Sequence, residues 1–239
     1  QSFVLKNGMK VVVVENHKIP MVTYSLSLEI QPALQGEKAG LYAMAGDLLM
    51  MGTPTRTKDQ IDEAIDFIGA EVNSSSVGIA GRSLKKFSNQ LLSVMSDVVL
   101  NPIFPEEQLE KLKKQTITGI VSGKEDPGAI SENISKRMLF GDHHPYGEII
   151  SEKSIEAITS QDCKNYHQTY FRPNVAYLVI VGDITLKEAK KQVTQYFAKW
   201  ERGVVPQTQY ESPRLNDENR IVVGNKDGGN QSAVRVTHI

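Results

Sequence analysis

The sequence predicts an α+β fold in which an antiparallel sheet is backed by helices. Three observations carry this reading: strand-like segments open the chain, helical apolar stripes fill its middle, and one late apolar run, "NVAYLVIVGDI", returns to strand character. The 239 residues suffice for one large core and the start of a second.

"FVLKNGMKVVVVEN" reads as strand, turn and strand, because Asn7-Gly8 accepts positive φ at low cost and β-branched valines crowd the second arm. In "PMVTYSLSLEI", Val22, Tyr24, Leu26 and Leu28 alternate with Thr23, Ser25 and Ser27, as in a strand with one buried face. A helix follows, with Leu41, Met44, Leu48 and Met51 on one stripe and Gly52-Thr53-Pro54 as its stop. Ile61, Ala64, Ile65 and Ile68 share a face of a second helix, and "AEVNSSSVGIAGRSL" predicts two short strands joined by a turn. "SNQLLSVMSDVVLNP" is helical up to Pro102. The next helix starts at Pro105 with two acids, a favourable N-terminus, and presents Leu109, Leu112, Ile117, Ile120 and Val121 as its apolar face. After a loop at "GDHHPYG" comes a helix near 159–170, then "NVAYLVIVGDI" as a central strand covered on both faces, then the amphipathic helix "LKEAKKQVTQYFAKW".

Residues 1–203 form one domain in this reading, and the polar, proline-bearing segment 204–219 is a linker. Residues 220–239 repeat the opening in outline: "RIVV", a Gly-rich turn and "SAVRVTHI" mirror "KVVVV", a polar turn and "MVTYSLSL". They are read as the first strands of a second, homologous domain. A terminal hairpin completing the first sheet is the alternative.

Net charge is −1, from 27 basic and 28 acidic residues, with no block of like charge, which excludes the dense positive field that nucleic acid requires. No apolar run has the roughly 18 residues needed to span a bilayer, and the chain opens on a strand pattern rather than a signal sequence. The single cysteine, Cys163, cannot form an intrachain disulfide. That fits bacterial cytoplasm or periplasm better than a disulfide-rich extracellular setting and leaves the compartment open.

Taken together, "FVLKNGMKVVVVEN", "GLYAMAGDLLMMGT", "GAEVNSSSVG", "NPIFPEEQLEKLK", "HPYG" and "YFRPNVAYLVIVGDI" resemble the insulinase and mitochondrial-processing-peptidase (pitrilysin) family of zinc metallopeptidases. The resemblance implies two homologous domains per half-enzyme, each a sheet backed by helices. It also implies a first helix bearing His-x-x-Glu-His, whose two histidines bind Zn²⁺ and whose glutamate activates water. On that frame Ala43 stands at the first histidine, Gly46 at the glutamate and Asp47 at the second histidine. Gly119 stands at the third ligand, a glutamate in the family, unless the register slides toward Glu125. One carboxylate cannot hold a catalytic zinc, which needs three protein ligands and an open position. Asp47 is otherwise a solvated mid-helix aspartate.

The resemblance thus implies a non-catalytic peptidase-family subunit or domain with no zinc of its own. It would form part of a chamber for unfolded peptides and pair with a catalytically intact homologue as a heterodimer, or self-associate. The competing reading is a zinc metallopeptidase active through a shifted ligand set. The family also implies a peptide-binding edge strand at Asn73, Ser74, Ser75 and Ser76, whose small side chains leave backbone groups open to an added strand. The plain reading of the same residues is a soluble polar edge. His143-His144 do not share a face, no Gly-x-Ser-x-Gly elbow exists, Cys163 and His167 read as a packing pair, and "VGIAGRS" lacks a phosphate loop's spacing and lysine. The Asn-x-Ser matches at Asn73, Asn133 and Asn230 are of a kind that arises by chance.

Overall fold

The computed structural model describes residues 1–210, 212, 220–225, 228 and 232–238. The chain divides into two units.

The first unit comprises residues 1–30, 42–109 and 159–206 and holds a six-stranded sheet. Its strands are β1 (Ser2–Val4), β2 (Lys10–Glu15), β3 (Met21–Leu28), β4 (Glu71–Ser75), β5 (Gly78–Leu84) and β6 (Ala176–Gly182), in the order β1-β2-β6-β3-β5-β4. The α+β reading holds, but the sheet is mixed: β6 inserts between β2 and β3 and runs parallel to β2, with Val12 opposite Val179. The remaining pairs are antiparallel. A hydrophobic pattern gives a strand's face but not its direction, which is why this pairing escaped the sequence reading.

Val11, Val13, Val22, Tyr24, Leu26, Leu178 and Ile180 form the buried face of the sheet. Packed with them are Leu91, Leu92, Met95, Val98 and Val99 of α3 (Ser88–Leu100) and Ala189, Val193 and Phe197 of α8 (Leu186–Phe197). The Tyr24 hydroxyl donates to Gln192 Oε1 at 2.6 Å, so its polar tip is satisfied inside the core. The expectation for β6 is corrected here: it is central, but only alternate residues are buried, and Val179 and Val181 remain 37% and 39% exposed. Val12 and Val14 lie opposite them in register and are exposed too.

The turn between β1 and β2 uses Gly8 at φ +93°, which an L side chain rarely adopts. Asn7 beside it is buried, and its Nδ2 donates to the carbonyls of Phe197 at 2.7 Å and Trp200 at 3.0 Å. It thereby supplies a donor to carbonyls at and just past the end of α8. α2 (Lys58–Phe67), α7 (Ser160–Tyr170) and α8 begin with reciprocal capping boxes at Thr57/Gln60, Thr159/Asp162 and Thr185/Glu188. α1 (Leu41–Asp47) is shorter than its apolar pattern suggests and tightens into a 3₁₀ turn over Leu48–Met50. Met44 and Leu48 of the expected stripe are buried, with Ala45 and Leu49 beside them.

The second unit comprises residues 31–41, 110–158 and 207–239. α4 (Glu106–Gly123) passes into it after Leu109. Of its expected apolar face only Leu109 is buried; Leu112, Ile117 and Ile120 are half-buried and Val121 is exposed. Lys113 is buried instead, its ammonium held by Glu110 Oε1 at 2.7 Å and the Glu156 carbonyl at 3.3 Å. The sequence reading assigns no element to α5 (Pro127–Phe140) or α6 (Glu152–Glu156). α5 starts on Pro127 with the Asp126 carboxylate accepting from the Gly128 amide at 2.8 Å, and its apolar residues Ile130, Ile134 and Met138, though at helical spacing, are none of them fully buried. The described residues of the segment read as a second domain, 220–225, 228 and 232–238, carry no strand; the rest of that segment lies outside the described residues.

Candidate functional site

The site is built where α1 meets the end of β4. Among the described residues β4 is an edge strand paired with β5 alone, so every second residue turns its N–H and C=O away from the sheet. α1 approaches this strand so tightly that Gly46 sits on the Ser75–Ser76 backbone: a Cβ added there would collide with the Ser75 carbonyl carbon and the Ser76 amide nitrogen, and would lie 2.8 Å from the Ser75 oxygen. The Ser74 hydroxyl donates to the Gly46 carbonyl at 2.9 Å and fixes the contact. Ala43 and Asp47, one turn apart, are exposed.

The four residues of the proposed edge therefore differ. Asn73 and Ser75 are exposed, whereas the Ser74 hydroxyl is spent on α1 and the Ser76 carbonyl accepts from the Tyr166 hydroxyl at 2.8 Å. Tyr166 is stacked on Tyr42 of α1 with ring centroids 4.2 Å apart and tilted against Tyr170 at 5.0 Å. Burial pushes the Tyr166 phenol up, and the neighbouring phenols add to this, so it stays a donor at all ordinary pH. Sequence reasoning missed this aromatic cluster; the visible signal was Tyr166 and Tyr170 at i, i+4 on a predicted helix.

Zinc fits this donor set poorly. Ala43 has no donor atom, and Gly46 has no room for a side chain of any kind. Asp47 makes no ion pair or hydrogen bond among the described residues, and desolvation raises its pKa. Gly119 belongs to the second unit, with open space where its Cβ would be, and Glu125 lies in the turn after α4. Among the described residues no three His, Cys, Asp or Glu side chains gather as a metal would require.

The other candidates resolve locally. The His143 side chain is 96% exposed, whereas His144 is buried against Phe140, Tyr146 and Tyr210, its Nδ1 accepting from the Tyr146 amide at 3.1 Å. His167 Nε2 lies 2.7 Å from the Val99 carbonyl, and burial lowers its pKa, so it is a neutral donor to the backbone; Cys163 is fully buried.

With this geometry in place, comparison with known proteins shows what the chain is similar to. The profile of the peptidase M16 inactive domain matches residues 157–237. An uncharacterised zinc protease of Bacillus subtilis, YmxG, is 20% identical over 90% of this chain and 55% of its own length. The chain is similar to zinc proteases of the M16 family. A probable mitochondrial-processing peptidase subunit beta of Arabidopsis thaliana is 21% identical over 82% of this chain and 38% of its own. The crystal structure of a peptidase M16 inactive domain from Pseudomonas fluorescens shares the fold with a TM-score of 0.80, at 24% identity over 90% of this chain and 54% of that one. The chain spans about half the length of the curated relatives it matches. The insulinase-type resemblance stands on these matches, and the match to the inactive domain is consistent with a non-catalytic peptidase-like domain. No helix among the described residues is long and apolar enough to cross a membrane.

Proposed function

We propose that this chain is a non-catalytic M16 subunit or domain that forms part of a peptide-binding chamber and pairs with a zinc-dependent homologue retaining His-x-x-Glu-His. The observation that carries the proposal is the junction at Gly46. The helix that bears the family's catalytic residues is kept and packed, yet the position of the water-activating glutamate is closed against the Ser75–Ser76 backbone. The ligand positions beside it hold a methyl group and one carboxylate. What supports peptide binding is the outer edge of β4 and the residue after it, Asn73 to Ser76, where an extended peptide can pair as an added strand with the groups that the Ser74 and Ser76 contacts leave open. In this reading residues 220–239 begin a second, homologous domain that completes the half-shell.

An inert wall that holds peptide lowers KM more than it changes the chemical step. The test mixes the protein with an intact His-x-x-Glu-His homologue and follows sedimentation and hydrolysis of an unstructured peptide. Co-sedimentation with a lowered KM is the expected result. A homologue fully active alone, with neither quantity changed by addition of this chain, overturns the proposal.

A further inference from the structure

We propose that the groove between α2 and α3 binds a small organic cation, an amine or guanidine carried on an apolar body, with the Glu63 carboxylate and the Phe67 ring as its recognition groups. The groove lies within the first unit and shares no residue with the α1–β4 junction, so the inference is independent of the peptide-binding reading.

α2 supplies one wall of the groove, α3 the other, and Tyr196 of α8 a third side. Ile68 and Val94 line it while buried, so its base is apolar. Its volume of about 680 Å³ falls in the range of small-molecule sites, about 300–1,000 Å³. The charges in the lining are unequal. Its one cation, Arg56, is consumed by Asp97, which also accepts from Thr53 and Thr55. Its one carboxylate, Glu63, is exposed and makes no ion pair or hydrogen bond among the described residues. Asp59 and Asp66 of the same helix do not line the groove. Phe67 follows Glu63 by four residues, so the two share a helix face with Cβ atoms about 5–6 Å apart. Phe67 is 79% exposed, which leaves a ring face open to a ligand. A cation paired with Glu63 therefore lies within reach of that ring, whose negative face attracts positive charge. Tyr196 is anchored by its hydroxyl, which donates to the Asn89 carbonyl at 3.3 Å, and its ring is left for the apolar body. An anion in this groove is repelled by Glu63, and a neutral ligand of the same shape gains the apolar contacts alone.

The experiment titrates the isotope-labelled full chain with phenethylamine and with phenethyl alcohol, its neutral isostere, at low salt and follows amide shifts by NMR. Wild type should bind the amine saturably, with shifts centred on Gln60, Glu63, Phe67, Gln90 and Ser93. It should favour the amine over the alcohol by roughly ten-fold, the product of an exposed ion pair and a surface cation–π contact. Glu63→Gln should cut that preference to roughly two- to three-fold. Phe67→Leu keeps an apolar side chain without a ring face and should weaken chiefly the amine. Both positions are exposed, so neither variant strains the fold. No saturable shift in the groove, or a preference for the amine that survives Glu63→Gln unchanged, overturns the inference. Tighter binding in the groove of a capped arginine tetrapeptide than of phenethylamine overturns it too, and makes the groove a docking surface for a protein side chain.

Discussion

The Tyr166 hydroxyl donates to the Ser76 carbonyl at 2.8 Å, which ties α7 to the turn that ends the edge strand. Tyr166→Phe keeps the ring stack with Tyr42 and removes only this bond. A loss of about 1 kcal/mol is expected in urea unfolding. Hydrogen exchange should quicken over residues 71–78 ahead of the sheet centre. Uniform exchange across all strands in the variant would show that the bond does not hold the edge.

Gly46→Ala reverses an ordinary helix rule. In an open helix interior, alanine gains up to ~1 kcal/mol over glycine. Here the added methyl meets the Ser75–Ser76 backbone, and overpacking of this kind costs about 1–3 kcal/mol. A destabilised variant is therefore expected, and a stabilised one would show that α1 and β4 are not in contact.

Rebuilding the zinc motif should fail at the same point. Ala43→His with Asp47→His places two imidazoles one turn apart on exposed positions, and the double variant should gain a zinc-dependent rise in its melting midpoint that wild type lacks. Adding Gly46→Glu should lower the midpoint below that of the double variant, with or without zinc. A quadruple variant including Gly119→Glu that hydrolyses peptides at a level typical of M16 enzymes would contradict this.

Asp97 supplies a pH-dependent part of the stability. Burial pushes its carboxyl up, but hydrogen bonds from Thr53, Asn101, Arg56 and Thr55 outweigh this and hold it below the usual carboxylate range. A depressed carboxylate stabilises the fold above its unfolded pKa of about 3.9 and loses that contribution as pH falls through the folded value. Asp97→Asn should cost about 2 kcal/mol at neutral pH. The gap to wild type should narrow below about pH 4, as read from thermal melts across pH, and a gap that widens in acid would reverse the assignment.

Much of this architecture is legible because its signals are local. The alternation in Val22, Tyr24, Leu26 and Leu28 and the Asn7-Gly8 turn fix β1 to β3. The threonine caps mark where α2, α7 and α8 start. What escaped is either long-range or weakly packed. The parallel β2–β6 pair joins residues far apart in sequence, and α5 buries nothing. At the site, family resemblance located Ala43, Gly46 and Asp47, but single letters do not show that Gly46 is pressed on Ser75. Nor do they show that two of the four edge residues, Ser74 and Ser76, are already engaged.

The placement of β6 between β2 and β3 governs how the chain can be born. β2 and β3 are consecutive, yet neither has its inner neighbour until residues 176–182 have been made. Translation adds roughly 5–20 residues per second, so the first three strands wait on the order of ten to thirty seconds with unsatisfied edges. Contacts of such sequence separation also close slowly. Nascent chains stalled before Ala176 should therefore depend on holding chaperones, whereas chains stalled well past Trp200 should resist protease on the ribosome.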